Sequence, residues 1–146
     1  MRILQVVTSL QIGGAEHVVV HLTKLLRQKE HTVDVVVFNG EETAFMRELE
    51  DTGCRIYKLG HGVYNIKYIP KLRRIMREYD IIHTHNSSPQ LFAAIANIEL
   101  GKTLITTEHS TNNRKREHPM FSFVDKWMYG KYAKVVTISR IAEDKL

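Results

Sequence analysis

The sequence has little of what several protein classes require. It has one cysteine, Cys54, which excludes a disulfide within the chain and any multi-cysteine zinc site. A lone thiol fits a reducing compartment. The opening Met1-Arg2-Ile3-Leu4-Gln5-Val6-Val7 reaches polar Thr8-Ser9 too early for a signal-peptide core. No apolar run approaches the roughly 18 residues of a membrane span. Neither the G-x-G-x-x-G spacing of dinucleotide sites nor the Lys-Ser/Thr end of a P-loop occurs. Repeats, low-complexity stretches and linkers are absent as well. Acidic residues are the scarcer charge, with 16 Asp and Glu against 21 Lys and Arg, a net charge of +5. These features predict a soluble, cytoplasmic protein whose surface favours anionic partners.

What is present suits one folded domain. At 146 residues the chain matches about one domain of roughly 100–200 residues. Hydrophobic residues are 43% and charged residues 25%, near the values of globular domains, so disorder is not expected. One core of this size leaves no room for an active site between two Rossmann-sized domains.

Short β-branched runs alternate with helical periodicity. Strands are predicted at residues 3–7, 33–38, 55–59, 81–83, 104–107 and 135–138. Most are apolar without alternation, as in strands covered on both faces. Helices are predicted at 15–28, 44–52, 66–79, 89–100 and 121–132, each with an apolar stripe. Gly53 and Gly101 stop two of them, and Pro70 lies near a first turn, where its missing N–H costs little. The order predicts an α/β, doubly wound, mainly parallel six-stranded sheet with helices on both faces. Right-handed crossovers place every strand-to-helix loop at the carboxyl edge, where ligands bind. Ser139 is a candidate cap for a further helix, so the sequence reads as stopping inside an element.

Three loops at that edge carry the chemistry. The first, Thr8 to Glu16, brings Gly13 and Gly14 to a helix start, where free N–H groups suit a phosphate or other anion. The second is Asp80-Ile81-Ile82-His83-Thr84-His85-Asn86-Ser87-Ser88. Period 2 puts His83 and His85 on one side of a strand. Two such imidazoles could hold a metal, but further ligands are not evident. The reading favoured is His83 hydrogen-bonded in the core and His85 reaching toward the cleft. The third, Thr106-Thr107-Glu108-His109-Ser110-Thr111-Asn112-Asn113, sets an acid, an imidazole and hydroxyls at a strand end, which suits sugar or phosphate recognition. Arg114-Lys115-Arg116 adds positive charge but lacks the interleaved aromatics of a nucleic-acid site, so no nucleic-acid partner is expected.

Gly13-Gly14-Ala15-Glu16, Asp80 to His85, Thr107-Glu108-His109-Ser110 and Val136-Thr137-Ile138-Ser139, taken in order, resemble the N-terminal domain of GT-B-fold glycosyltransferases. Within that fold they are similar to the retaining family 4, which includes bacterial capsule and lipopolysaccharide enzymes. The resemblance implies a Rossmann-like half of a GT-B fold, with residues 1–146 as the acceptor-side domain. It implies that the C-terminal domain, which binds the nucleotide-sugar donor, is missing from this chain. Gly13 and Gly14 would then lie under the donor phosphates and sugar. His109 would face the transferred sugar as the catalytic residue. Glu16, His85, Asn86, Glu108 and Ser110 would bind a saccharide or lipid-linked acceptor. The nucleotide sugar is a substrate, and neither a cofactor nor a metal is implied. The implied role is in cell-surface polysaccharide synthesis at the inner face of the membrane, with little activity expected of this chain alone.

Two other readings share the same residues: a stand-alone, non-catalytic sugar- or phosphate-binding module, and half of a nicotinamide-dependent oxidoreductase. The missing fingerprint counts against the second. The basic segment 67–77 allows peripheral contact with anionic lipid, and uncovered apolar surface allows self-association.

Overall fold

The computed structural model describes residues 1–11, 14–62, 65–85, 87–108 and 119–137. Within them, six strands and five helices alternate: β1 (Arg2–Val7), α1 (Gly14–Gln28), β2 (Thr32–Asn39), α2 (Ala44–Glu50), β3 (Ile56–Gly60), α3 (Tyr68–Met76), β4 (Ile81–His85), α4 (Ser87–Ala96), β5 (Thr103–Glu108), α5 (Pro119–Tyr129) and β6 (Lys134–Thr137). The strands form one sheet in the order β3-β2-β1-β4-β5-β6. Every pairing is parallel, so the doubly wound sheet expected from the sequence is the one observed.

Local chemistry explains the element ends. Thr43 caps α2, its hydroxyl accepting from the Met46 N–H at 3.2 Å. Gly53 takes φ 89° just past α2, a conformation that most side chains disfavour. Pro70 and Pro89 each fall at the third residue of a helix, where no intrahelical N–H bond is lost. α3 is shorter than its apolar period suggested, and β4 runs two residues further than expected, to His85. The extension comes from pairing: His85 sits opposite Thr107, a register set by the neighbouring strand.

The sheet separates two cores. On one side α1 and α2 cover Val7, Val35 and Val37, with Leu10, Val19, Met46 and Leu49 closing the packing. On the other, α3, α4 and α5 cover Leu4, Val36, Phe38, Ile82 and Leu104. The central strands are therefore buried nearly end to end, with only Arg2 of β1 exposed, as continuous apolar runs require. At the edge of the second core the Tyr68 ring approaches Gly60 so closely that an added Cβ would lie 2.5 Å from its hydroxyl.

A polar cluster ties the opposite, amino-terminal edge together. The buried Asp34 carboxylate accepts from the Arg55 N–H at 2.9 Å and from the Tyr79 hydroxyl at 2.5 Å. The Arg2 guanidinium lies 5.1 Å from the Tyr79 ring centroid. Burial, together with the bond to Asp34, pushes the Tyr79 hydroxyl well above the ordinary tyrosine range. Asp34→Ala removes the acceptor of the Arg55 N–H and of the buried Tyr79 hydroxyl, and is expected to cost about 1–3 kcal/mol. Chemical denaturation measures it, and a loss under about 1 kcal/mol would show that the cluster does not hold this edge.

Candidate functional site

The carboxyl edge is where the strand order turns. β1 and β4 are neighbours, but their following helices α1 and α4 lie on opposite faces, which opens a crevice between the two loops. Leu10, with no exposed surface, anchors the β1–α1 loop in the α1–α2 core. The Asn39 N–H donates to the Thr8 carbonyl at 2.8 Å, and Gln11 Nε2 donates to Glu41 Oε2 at 2.9 Å, joining this loop to the end of β2. Gly14 is the first residue of α1, and Glu16 stands half-buried in its first turn. An acid there complements the positive end of the helix dipole.

The ends of β4 and β5 are held by buried polar contacts. His85 Nε2 lies 2.8 Å from Gln5 Oε1, and His83 Nε2 lies 2.6 Å from Thr107 Oγ1. The two imidazole rings are 4.3 Å apart, on one side of the strand as period 2 requires. Their depths reverse the sequence reading. His85 has no exposed surface, whereas His83 is only half-buried. His85 is thus buried rather than reaching toward the cleft; β4 continues through it, and Gln5 of the adjacent strand meets its Nε2. Alternation specifies the side of a strand but not how far the covering helix reaches along it.

Behind this pair, Gln90 Nε2 donates to Thr106 Oγ1 at 2.8 Å, and the Tyr132 hydroxyl donates to the Gln90 carbonyl at 2.6 Å. Burial raises the Tyr132 hydroxyl above its ordinary range, so it stays protonated as that donor. Glu108, at the end of β5, accepts from the Tyr129 hydroxyl of α5. Sequence reading did not mark Gln5 or Gln90, and it took Thr106 only as the start of the polar run after β5. Their signal was a polar residue within an otherwise apolar strand or helix face. Gly13, Asn86, His109 and Ser110 lie outside the described residues.

A groove of about 430 Å³ opens beside this edge, between α1 and the β4–β6 half of the sheet. His17, His21, Leu22 and Leu25 of α1 line one wall, and His83 and Val136 contribute to the other. His17 and His21 share one helix side through i,i+4 spacing, the signal that could have marked them as a pair. Among the described residues no three His, Cys, Asp or Glu side chains gather to hold a metal ion. At the end of β2, the Lys58 ammonium 2.5 Å from Glu42 holds that exposed carboxyl below its ordinary value.

The model of Glycosyltransferase Family 4 matches residues 12–146, nearly the whole sequence. The chain belongs to glycosyltransferase family 4. Among solved structures, this family 4 chain is similar to HepE of Anabaena in complex with UDP, at 20% identity and TM-score 0.72, covering 92% of this chain and 37% of HepE. It is also similar to MurG of Acinetobacter baumannii, at 15% identity and TM-score 0.67, covering 93% of this chain and 40% of MurG. A putative UDP-N-acetylglucosamine 2-epimerase of Listeria monocytogenes matches 99% of the chain and 43% of its own length, at 12% identity and TM-score 0.64. At such identities the likeness is one of fold, the Rossmann-like half of a GT-B architecture. The chain spans well under half the length of each of these structures. No curated protein of similar sequence is found.

Proposed function

We propose that this chain is the acceptor-side domain of a glycosyltransferase that moves a sugar from a nucleotide-sugar donor to a saccharide or lipid-linked acceptor in cell-surface polysaccharide synthesis. The family match over residues 12–146 carries this reading. The HepE fold neighbour has been solved with UDP-glucose and with UDP and glucose, which supports a nucleotide sugar as the donor class. The donor is a substrate, and the proposed transfer uses neither a metal nor an organic cofactor.

Glycosyl transfer builds positive charge at the anomeric carbon and negative charge on the departing diphosphate. Groups preorganised around both charges lower the barrier. Gly13 and Gly14 are proposed to offer backbone N–H groups to the diphosphate or the sugar it carries, Gly14 being the first residue of α1. In this proposal His109, one residue past β5, supports the transferred sugar by hydrogen bonding. Glu16, Asn86, Glu108 and Ser110 recognise the acceptor from the same edge. His85 has no place among them because it is buried against Gln5; it positions the end of β4 instead. The donor's nucleotide is held by a second domain outside this sequence, so the chain alone turns over little or nothing. The protein works at the cytoplasmic face of a membrane.

The test is to assay a form that includes the donor domain for nucleoside-diphosphate release from common nucleotide sugars, with saccharide acceptors added. Turnover is expected, and His109→Ala is expected to lower it at least about a hundredfold. Absence of turnover with every common donor rejects the transferase reading. Full activity in His109→Ala removes the role given to that residue. Saturable binding of a sugar phosphate by the 146-residue chain, with no turnover in any longer form, would favour a non-catalytic binding module.

A further inference from the structure

A line of polar side chains interrupts the apolar layer on the α1 side of the sheet. Gln5 lies two residues before Val7, so period 2 puts both on that side of β1. Strand register sets Gln5 opposite His83, and His85 opposite Thr107. The hydrogen bonds cross these pairs and do not follow them. Gln5 Oε1 meets His85 Nε2 at 2.8 Å, and Thr107 Oγ1 meets His83 Nε2 at 2.6 Å. Each imidazole therefore reaches past the other, and the ring centroids lie 4.3 Å apart. Thr107, His83, His85 and Gln5 form one continuous polar run across β5, β4 and β1.

The inner end of this run is unfinished. Gln5 and Thr23 of α1 have no exposed surface. Gln5 Nε2 and Thr23 Oγ1 are both buried without a hydrogen-bond partner among the described residues. Buried polar atoms left so are costly, and most find a partner. The positions of these two are linked. β1 and β2 are parallel neighbours, so α1 between them runs back along β1. Val7 and Val19 pack in one core. From Val19 to Thr23 the helix advances about 6 Å. From Val7 back to Gln5 the strand retreats about 6.6 Å. Thr23 thus comes level with Gln5, on the side of α1 that faces the sheet. An amide donor and a hydroxyl lie in one sealed layer and do not bond directly.

A water molecule has the size and the valence to join them, because it accepts and donates at once. We propose that an ordered internal water bridges Gln5 Nε2 and Thr23 Oγ1, accepting from the amide and donating to the hydroxyl oxygen. The bridge closes a hydrogen-bonded line from α1 through β1 and β4 to β5. Both ends of that line lead to the carboxyl edge. Thr107 is followed by Glu108, the last residue of β5, and α1 opens at Gly14. The water therefore braces the helix that starts at Gly14 against the strand that ends at Glu108, from beneath the loops. This bracing holds whether or not the protein transfers a sugar.

The test uses the 146-residue chain and needs no turnover. Nuclear magnetic resonance should show a long-lived water in contact with both the Thr23 methyl group and the Gln5 side-chain amide. Thr23→Val keeps the shape of the side chain and removes only the hydroxyl. It should abolish the water contact at the Gln5 amide and lower Tm by about 2–4 °C. Gln5→Leu should lower Tm further, since it also removes the partner of His85. The double variant should fall short of the sum of the two shifts by about 2 °C or more, because either change alone already breaks the bridge. An unchanged or raised Tm in Thr23→Val would overturn the proposal, since a methyl group replacing an idle hydroxyl packs without loss. Additive shifts would overturn it as well. A native chain with no water contact at these two groups rejects the bridge even if the variants do not fold. Coupled shifts without that contact would put a direct bond between the two side chains in its place.

Discussion

Phe38→Ala is expected to lower the free energy of unfolding by about 3–5 kcal/mol, the cost of removing a fully buried ring and leaving its cavity. The ring has no exposed surface and links three elements. It rises from β2, lies 5.3 Å from the Tyr68 ring of α3 and 5.4 Å from the Phe92 ring of α4. Both contacts are tilted, the arrangement aromatic pairs favour, which adds to the burial itself. Collapse around the gap is restricted because Tyr68 is tethered: its hydroxyl donates to the Gly62 carbonyl at 2.9 Å and accepts from the Gly62 N–H at 3.2 Å. A domain of this size has about 5–15 kcal/mol in total, so the loss is a large share. With a urea slope of about 1–3 kcal/mol per molar, the midpoint should fall by at least about 1 M. Phe38→Leu, which keeps most of the volume, should cost under about 1.5 kcal/mol. A drop under about 1 kcal/mol for the alanine variant would mean that the ring does not join sheet to helices.

Cys54 should react with an aromatic disulfide reagent at least about a hundredfold more slowly in the native protein than in the unfolded chain, at pH 8. Burial pushes its thiol from an ordinary value of 9.0 to about 12, and the nearby Asp34 carboxylate acts in the same direction. That rise cuts the thiolate fraction about a thousandfold. A more basic thiolate is also a better nucleophile, which returns about twentyfold. The remaining factor of about fifty is enlarged by access, because Cys54 is only 5% exposed between β3 and the α1–α2 core. Guanidinium should restore the full rate. A native rate within a few-fold of the unfolded one would show that the thiol is accessible, contrary to this packing. The same shift links to stability with a definite sign. Well below pH 9.0 the thiol is neutral in both states and contributes no pH dependence. As pH rises from there toward 12 the unfolded chain ionises first, so stability falls.

Cys54 and Asp34 also mark the division between the two edges of the sheet. Asp34, Arg55 and Tyr79 join the starts of β2 and β3 to the segment before β4. The opposite edge gathers the loop after β1, the end of β4 and the end of β5, held from behind by Gln5, Gln90 and Tyr132. A rigid rear layer matters for transfer chemistry, because groups that must not reorganise as charge develops need fixed supports. The Gln90–Thr106 and Tyr132–Gln90 bonds supply such support to the strand that leads to Glu108.

The sequence alone determined the alternation of strands and helices and the parallel class of the sheet. An uninterrupted apolar run such as Val35-Val36-Val37-Phe38 can be buried only if both faces are covered, and helices between strands provide that cover. Shared strand sides followed from the same logic, because side chains alternate with period 2. His83 and His85 do lie together. Depth was decided only in three dimensions. The sealed imidazole, His85, meets Gln5 of an adjacent strand, about eighty residues away in sequence and brought alongside only by strand pairing. The same holds for α5, whose period marks an apolar helix but not which apolar side chains find a neighbour. Met128 meets the core and Phe123 does not, because the helix lies on the sheet along one line only and the side chains outside that arc face away from it.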